Sequence, residues 1–258
     1  MRGELFPGAD AAFAAEALWE AYRTCFPENC KSVMEKGEFD LVTAADVAVE
    51  KWIVNRIHAA FPGDRILGEE TEPKAVLGGR CWAIDPIDGT VNMANGIPIY
   101  GMQCALFEDR KCVASALYFP LSDEMYTAGA SLGAYRNGER LQVRMRDSGH
   151  AIVSFGDLRH DSRDARTLQF RMMEAVAPRV SKVRMFGAAC MDFASVAAGR
   201  TDAAVLFTTN LWDIGPGILL CREAGAMVLS PDGREYQIGT TGVIVTGNSV
   251  LATILTKL

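Results

Sequence analysis

Hydrophobic positions along the chain change their spacing several times, and each change predicts a different kind of element. Over residues 11–25, and again after Thr43, apolar residues recur every three or four positions, as on one face of a helix. Thr43 and Asp46 have the spacing of a capping box, which would begin the second helix. Between residues 65 and 143, short apolar runs end in charged or turn residues, which is typical of strands. From residue 151 onward strand and helix patterns alternate, so we expect an α/β fold of layered helices and sheets.

The predicted elements can be placed individually on the sequence. Strands at 65–68 and 81–84 each run directly into acidic residues, and Asn137-Gly138 predicts a hairpin turn between strands at 133–135 and 141–143. Residues 1–258 are predicted to form a single domain of two fused halves, about 1–147 and about 148–258, with a soft boundary near 144–149. The remaining strands are expected at 100–107, 113–119, 124–128, 151–155, 182–186 and 203–207, and the remaining helices at 163–177, near 191–198 and after Trp212-Asp213.

Composition narrows the class of protein. The chain has 258 residues, of which 49% are hydrophobic, and a formal net charge of −6. No stretch is rich in Lys and Arg, which argues against a nucleic-acid surface, because cations clustered on one face carry binding to the phosphate backbone. Seven scattered cysteines without a C-x-x-C pair indicate reduced thiols. With no signal-like N-terminus and no apolar run of about 18 residues, the chain is predicted to be cytoplasmic and to lack a membrane span.

The segment Asp85-Pro86-Ile87-Asp88-Gly89-Thr90 carries the strongest indication of chemistry. A strand delivers two carboxylates three residues apart, followed by a glycine turn and a hydroxyl. Magnesium prefers hard oxygen ligands, and both carboxylates together with the carbonyl of Ile87 are ligands of that kind. Free N–H groups at the start of a following helix would bind phosphate oxygens. Taken alone, the segment is also compatible with an ordinary solvated Asp-Pro turn.

Two further acidic segments accompany it. Gly68-Glu69-Glu70 follows the strand at 65–68, and Glu69 would lie beside Asp85 if the two strands are neighbours. Trp212-Asp213 precedes an apolar helix. Each has an alternative interpretation on its own, the first as a solvated acidic loop and the second as a helix N-cap at Asp213.

Together these segments resemble the inositol monophosphatase family in order and approximate separation. The matching strings are G-E-E at 68–70, D-P-I-D-G-T at 85–90, and W-D at 212–213 followed by E-A-G at 223–225. D-L-V-T-A-A-D at 40–46 also resembles the family's D-L-V-T-x-x-D segment. The resemblance extends over nearly the whole chain, and the full D-P-I-D-G-T string is highly specific.

The resemblance implies a layered αβαβα sandwich of the inositol monophosphatase and fructose-1,6-bisphosphatase type, usually dimeric. It also implies a lithium-sensitive hydrolase that cleaves small phosphate monoesters with two or three Mg²⁺ ions per subunit. Glu69 and the Thr90 hydroxyl, held by Asp46, would orient the attacking water. The implied ligands of the first metal are Glu69, Asp85, the Ile87 carbonyl and Thr90; those of the second are Asp85, Asp88 and Asp213; and the phosphate would bind at Asp88, Gly89 and Thr90.

The expected leaving-group pocket departs from the family pattern. Family members that favour inositol phosphates resemble one another in a glutamate seven residues before the W-D aspartate, and here that position is Leu206. A leucine cannot accept a hydrogen bond from a polyol, so inositol monophosphate is not favoured as the preferred substrate. By position, Gly187, Ala188, Leu206 and Asn210 should border this pocket.

Several functions therefore stay open. The first prediction is a phosphatase acting on an inositol, sugar or polyol phosphate, with a small phosphorylated metabolite as its partner and neither nucleic acid nor membrane. Within the same superfamily, a 3'(2'),5'-bisphosphate nucleotidase and a histidinol-phosphatase are alternatives. A non-catalytic interaction protein on the same fold is the alternative from another class, and the retention of every implied metal ligand argues against it.

Overall fold

The computed structural model describes residues 6–26, 33–37, 40–71 and 78–257, with side chains from residue 43 onward in the third range and none in the second. Cys30 therefore lies outside the described residues. The α-helices are α1 (Ala9–Cys25), α2 (Ala44–Ala60), α3 (Thr90–Ala94), α4 (Arg163–Val176), α5 (Ala189–Ala197), α6 (Leu211–Glu223) and α7 (Ser249–Thr256). The strands are β1 (Val33–Gly37), β2 (Asp40–Thr43), β3 (Arg65–Gly68), β4 (Arg80–Asp88), β5 (Gly101–Glu108), β6 (Lys111–Phe119), β7 (Glu124–Gly129), β8 (Gly133–Arg136), β9 (Glu139–Arg140), β10 (Ile152–Phe155), β11 (Lys182–Arg184), β12 (Ala203–Leu206), β13 (Met227–Leu229) and β14 (Val243–Thr246).

A seven-stranded sheet occupies the first half of the described chain, in the order β3-β4-β5-β6-β7-β8-β9. Its β3–β4 pair is parallel and its other pairs are antiparallel; β4 and β5 are joined by a segment that contains α3, and the strands from β5 to β9 by short turns. The hairpin turn predicted at Asn137-Gly138 is confirmed, and both residues have positive φ, as a tight hairpin requires. The strand predicted at 141–143 is wrong: β9 ends at Arg140, and the Val143 N–H bonds to Ala224 at the end of α6 instead.

A five-stranded sheet forms the second half, in the order β11-β10-β12-β14-β13. Strand β10 runs parallel to β11 and β12, whereas β14 is antiparallel to β12 and β13. The alternation predicted from residue 151 onward is therefore confirmed, with small shifts at the element ends. One such shift is the start of α5, which begins at Ala189.

The helices complete five layers around these two sheets, which confirms the αβαβα sandwich. Helices α1 and α2 cover the outer face of the larger sheet, α5 and α6 lie between the sheets, and α4 and α7 cover the outer face of the smaller sheet. Representative buried residues are Leu18, Ile53 and Trp82 in the first interface, Tyr126, Phe193, Ile214 and Val245 around the central helices, and Val153, Met172 and Leu255 in the last.

The central helices pack closely because of a glycine in α6. A β-carbon on Gly217 would lie 2.2 Å from the ring of Phe193 in α5. No real contact is that short, so glycine at this position lets α6 lie directly against α5. This packing fixes the axis of α6, whose first turn carries Asp213.

Two helix starts bear on the predicted site. The capping box at Thr43 and Asp46 is confirmed. The Thr43 side chain accepts a hydrogen bond from the backbone of the first turn, and the Asp46 side chain accepts one from the backbone N–H of Thr43. The alternative that Asp213 is a helix N-cap is wrong, because α6 begins at Leu211 and Asn210 takes the N-cap position. Within the described ranges, no helix combines the length and apolar character needed to cross a bilayer.

Candidate metal and phosphate site

The pairing of β3 with β4 brings the first acidic segment to the second. The two strands are parallel neighbours, with Gly68 opposite Ile84, so the condition for Glu69 to lie beside Asp85 is met. The Glu69 N–H donates to the Ile84 carbonyl at 3.2 Å. Because parallel strands end at the same edge of a sheet, Glu69 and Asp85 both emerge there.

A β-bulge turns both aspartates of β4 toward this edge. Asp85 pairs with Gln103 and Asp88 pairs with Gly101, so four residues of β4 lie opposite three of β5. In a regular strand, residues three apart point to opposite faces. The extra residue of the bulge corrects this alternation and re-aims a side chain, as bulges beside functional sites commonly do.

The glycine turn after β4 leads straight into α3. Gly89 adopts the left-handed conformation (φ 90°), and a β-carbon there would approach the Ile99 carbonyl to 3.0 Å. The Thr90 hydroxyl, at the first position of α3, lies 2.8 Å from the Ile87 carbonyl and 3.0 Å from Asp46 Oδ1. The implied contact between Asp46 and Thr90 is thus present in the structure.

Asp46 is held in turn by the start of its own helix. Its Oδ2 accepts from the Thr43 N–H at 2.8 Å and from the Thr43 hydroxyl. Burial raises the pKa of Asp46, while the bonds from Thr43 and Thr90 act in the opposite direction. Asp46 therefore serves as a fixed acceptor behind Thr90, away from the pocket.

Asp213 and Asp88 come to the site from different elements, α6 and β4. The Thr208 hydroxyl donates to Asp213 Oδ2 at 3.1 Å and accepts from the Asn210 N–H at 3.1 Å, which orients the carboxylate in the first turn of α6. Asp88 accepts from the N–H groups of Ala189, at 3.1 Å, and Cys190 at the start of α5. A helix N-terminus stabilises such a negative charge.

The carboxylates of the site repel one another, and Asp85 is the buried one among them. Burial raises the pKa of Asp85 well above its usual value, and the negative charges of Glu69, Asp88 and Asp213 raise it further. Burial also raises the pKa of Asp88, against the bonds it accepts from α5. Asp85 Oδ1 is buried and has no hydrogen-bond partner. A carboxylate oxygen in this condition calls for a proton or a cation.

The carboxylates around this edge of the sheet are suitable ligands for a hard divalent cation, although their oxygen atoms do not yet lie close enough together to bind one ion. Among the described residues, no three His, Cys, Asp or Glu side chains form a group that could hold a metal ion. Part of the reason is that Asp88 is turned to the N–H groups of α5. The all-oxygen character of the donors and the unpartnered Asp85 Oδ1 fit magnesium once these side chains converge.

The predicted site residues line one cavity of about 340 Å³, with a single exception. Of the predicted residues only Asp46 does not line it, because Asp46 stands behind Thr90. Leu206 is 3% exposed and its side chain covers Gly156, so the leaving-group wall is apolar there. The predicted residues that line the cavity are Glu69, Asp85, Ile87, Asp88, Gly89, Thr90, Gly187, Ala188, Leu206, Asn210 and Asp213.

The cavity also includes residues that the motifs do not contain. Gly156 and Asp157 follow β10, and Thr208 follows β12. The sequence could have indicated them only by their position, because both segments follow apolar strands, as the carboxylates of the motifs do. Gln103 contacts the aspartates from β5 and carries no sequence indication, because it is one polar residue within an apolar strand.

The chain is similar to known proteins over most of its length. The model of the inositol monophosphatase family matches residues 8–258. The chain is 32% identical to an inositol monophosphatase of Dictyostelium discoideum, over 90% of this chain and 87% of that protein. It is 33% identical to a fructose-1,6-bisphosphatase/inositol-1-monophosphatase of Aquifex aeolicus, over 86% and 82%. The crystal structure of the extragenic suppressor protein suhB from Bartonella henselae matches with a TM-score of 0.83 and 31% identity, covering 95% of this chain and 96% of that one.

Proposed function

The chain belongs to the inositol monophosphatase family, and from that premise we propose that it is a magnesium-dependent phosphatase that hydrolyses a small phosphate monoester. The observation that carries the proposal is the cavity in which Glu69, Asp85, Asp88 and Asp213 meet the turn at Gly89-Thr90. Four carboxylates around one cavity supply charge for cations, and the turn supplies donors for a phosphate.

The oxygen atoms around the cavity would bind two magnesium ions. Glu69, Asp85, the Ile87 carbonyl and Thr90 would hold one Mg²⁺ ion, and Asp85, Asp88 and Asp213 would hold another. Magnesium supplies a water with a lowered pKa and offsets the charge of the phosphate. Two ions are expected per subunit, and a third would enter with substrate.

The water is oriented by the chain's own groups. Glu69 is a carboxylate acceptor at the rim of the cavity, where it can take a proton from water. The Thr90 hydroxyl directs its single hydrogen toward Asp46 Oδ1 and the Ile87 carbonyl, so its oxygen keeps both lone pairs for a cation or a water. The first N–H groups of α3 have no carbonyl partners within the helix and are available to phosphate oxygens.

The leaving-group side supports a small sugar or polyol phosphate as the first candidate. Leu206 and Ala188 present an apolar wall, while Asn210 and Asp157 are exposed and polar. Phe207 also lines the cavity but is 5% exposed, so it offers little ring surface for a stacked base. A nucleotide bisphosphate is therefore the less favoured substrate.

The oligomeric state, the location and the inhibition are inferred from the family resemblance. We propose a homodimer, a cytoplasmic location, and inhibition by lithium. The two halves, about 1–147 and about 148–258, are proposed as the metal and phosphate half and the substrate half.

The test is phosphate release with and without magnesium from five esters. These are inositol 1-phosphate, fructose 1,6-bisphosphate, histidinol phosphate, a 3',5'-nucleotide bisphosphate and β-glycerophosphate. We expect turnover of at least one ester that is lost on chelation and in Asp88→Asn, with Asp109→Asn, an exposed hairpin residue, as the matched control. A folded wild type that releases phosphate from none of them in magnesium would count against the proposal.

A further inference from the structure

Gln103 occupies a position in β5 that no motif indicates. It lies directly opposite Asp85 in the antiparallel β4–β5 ladder, so both side chains stand on the same face of the sheet. The side chain is fully buried and does not line the cavity. Gln103 is therefore placed behind the carboxylates, with no route to a substrate.

Its amide nitrogen reaches three oxygen atoms from three parts of the site. Nε2 lies 3.4 Å from Asp85 Oδ2, 3.3 Å from Asp88 Oδ2 and 3.0 Å from the backbone carbonyl of Asp213. Two amide hydrogens are thus shared among three acceptors. The opposite orientation of the amide would set Oε1 against the same three oxygens, which is repulsive, so the nitrogen must face them.

We propose that Gln103 is a positioning residue whose amide holds Asp85, Asp88 and the first turn of α6 together when the site contains no metal. The amide then does part of what a cation does, because it places positive hydrogens between two carboxylates that otherwise repel each other. The inference rests on the proposed function in one respect, namely that Asp85, Asp88 and Asp213 are the magnesium ligands.

Competition with the cation follows from this arrangement. The amide of Gln103 is bonded to Asp85 Oδ2 and Asp88 Oδ2, which belong to two carboxylates of the proposed metal site, so the amide and a cation draw on the same negative charge. Because the amide stabilises the metal-free state preferentially, its removal should destabilise that state more than the magnesium-bound state. By linkage, magnesium should then bind more tightly to the variant.

The experiment replaces Gln103 by methionine, which has a similar length and no amide. The matched control is Gln169→Met, since Gln169 is also fully buried and donates through Nε2 to a backbone carbonyl, that of Gly156, at 2.6 Å, without contacting a carboxylate. Magnesium affinity is measured by titration calorimetry. Thermal unfolding is measured once in EDTA and once in saturating magnesium.

For Gln103→Met we expect the magnesium Kd to fall about tenfold, which corresponds to about 1.4 kcal/mol. The loss of Tm in EDTA should exceed the loss in magnesium by about 3–6 °C. For Gln169→Met we expect equal Tm losses in both conditions and an unchanged Kd. Gln103→Glu, which keeps the shape and adds a negative charge, should lose more Tm in EDTA than the methionine variant and recover it in magnesium.

Each contrary result has a definite meaning. Equal Tm losses with an unchanged Kd would make Gln103 a packing residue and overturn the inference, as would a weaker Kd, which would mean that the amide supports the bound state. A folded wild type that binds no magnesium would overturn the proposed function instead. The inference would then be decided in EDTA alone, where a Tm loss for Gln103→Met no larger than that for Gln169→Met refutes it.

Discussion

Asp192 is a fully buried carboxyl group in the first turn of α5, and its replacement by asparagine should remove part of the pH dependence of the protein's stability. Burial raises its pKa to about 8; the nearby Ser154 hydroxyl opposes the rise, and the charges of Asp88 and Asp157 add to it. Neither carboxyl oxygen has a well-formed hydrogen bond. The substitution Asp192→Asn keeps the shape of the side chain and removes the titration, so the change isolates the charge.

The sign follows from the proton count of Asp192 in the two states. In the unfolded chain its pKa is the ordinary 3.8, so between about pH 4 and pH 8 the folded state holds a proton that the unfolded state has released. The free energy of unfolding therefore falls as the pH rises through this window. Each pKa unit corresponds to about 1.4 kcal/mol, so the full cost above pH 8 is on the order of 5 kcal/mol.

Urea unfolding in EDTA at pH 5, 7 and 8.5 measures this effect. We expect Asp192→Asn to gain stability over the wild type progressively, by several kcal/mol at pH 8.5 and by little at pH 5. Asp85 titrates in both proteins, so its own contribution cancels in the difference between the two curves, whereas the repulsion between Asp88 and Asp192 is part of the effect that is measured. A difference that stays constant from pH 5 to pH 8.5 would refute the reasoning, because it would show that Asp192 does not change its protonation on unfolding in that range.

Two further substitutions test the packing of α6 and the leaving-group wall. Gly217→Ala should cost about 1–3 kcal/mol in urea unfolding, because its β-carbon would lie 2.2 Å from the Phe193 ring. Gly149→Ala, whose β-carbon would meet nothing within 4 Å, is the control, and equal effects of the two would contradict the packing argument. Leu206→Glu should raise kcat/KM for inositol 1-phosphate about tenfold relative to β-glycerophosphate, since a carboxylate can accept from ring hydroxyls. An unchanged ratio would mean that Leu206 does not contact the leaving group.

The predictions that succeeded depend on short segments. Thr43 and Asp46 lie within one turn of each other, so local hydrogen bonds alone fix the start of α2. The strands predicted at 65–68 and 81–84 each need only a short apolar run that ends in acidic residues, and they form β3 and part of β4. The hairpin at Asn137-Gly138 needs only its two turn residues.

The prediction that failed depends on where a segment finds its partner. Leu141 and Val143 alternate with polar residues as a strand would, yet the sheet ends at Arg140. Both side chains pack instead against the core around α6, and the Val143 N–H bonds to Ala224, more than 80 residues further along the chain. An apolar alternation shows that one face is buried; it does not show whether a strand or a helix end buries it.

The difference between local signals and distant partners also explains why the sequence does not indicate Gln103 and Thr208, although both contact carboxylates of the site. Gln103 bonds to Asp85, Asp88 and the Asp213 carbonyl, all at least 15 residues away in sequence, whereas Thr208 bonds to Asp213, five residues away. The proposed ligand residues are carboxylates that stand in short recognisable strings, such as D-P-I-D-G-T at 85–90, so the sequence alone indicates them. A residue that orients a ligand needs only one donor at the right place, which Gln, Thr or a backbone N–H can each provide, as the N–H groups of α5 do for Asp88. Because several residue types can supply that donor, the residue type does not identify the position. The position depends on which residues lie opposite each other in the sheet, and this strand register is seen only in the structure.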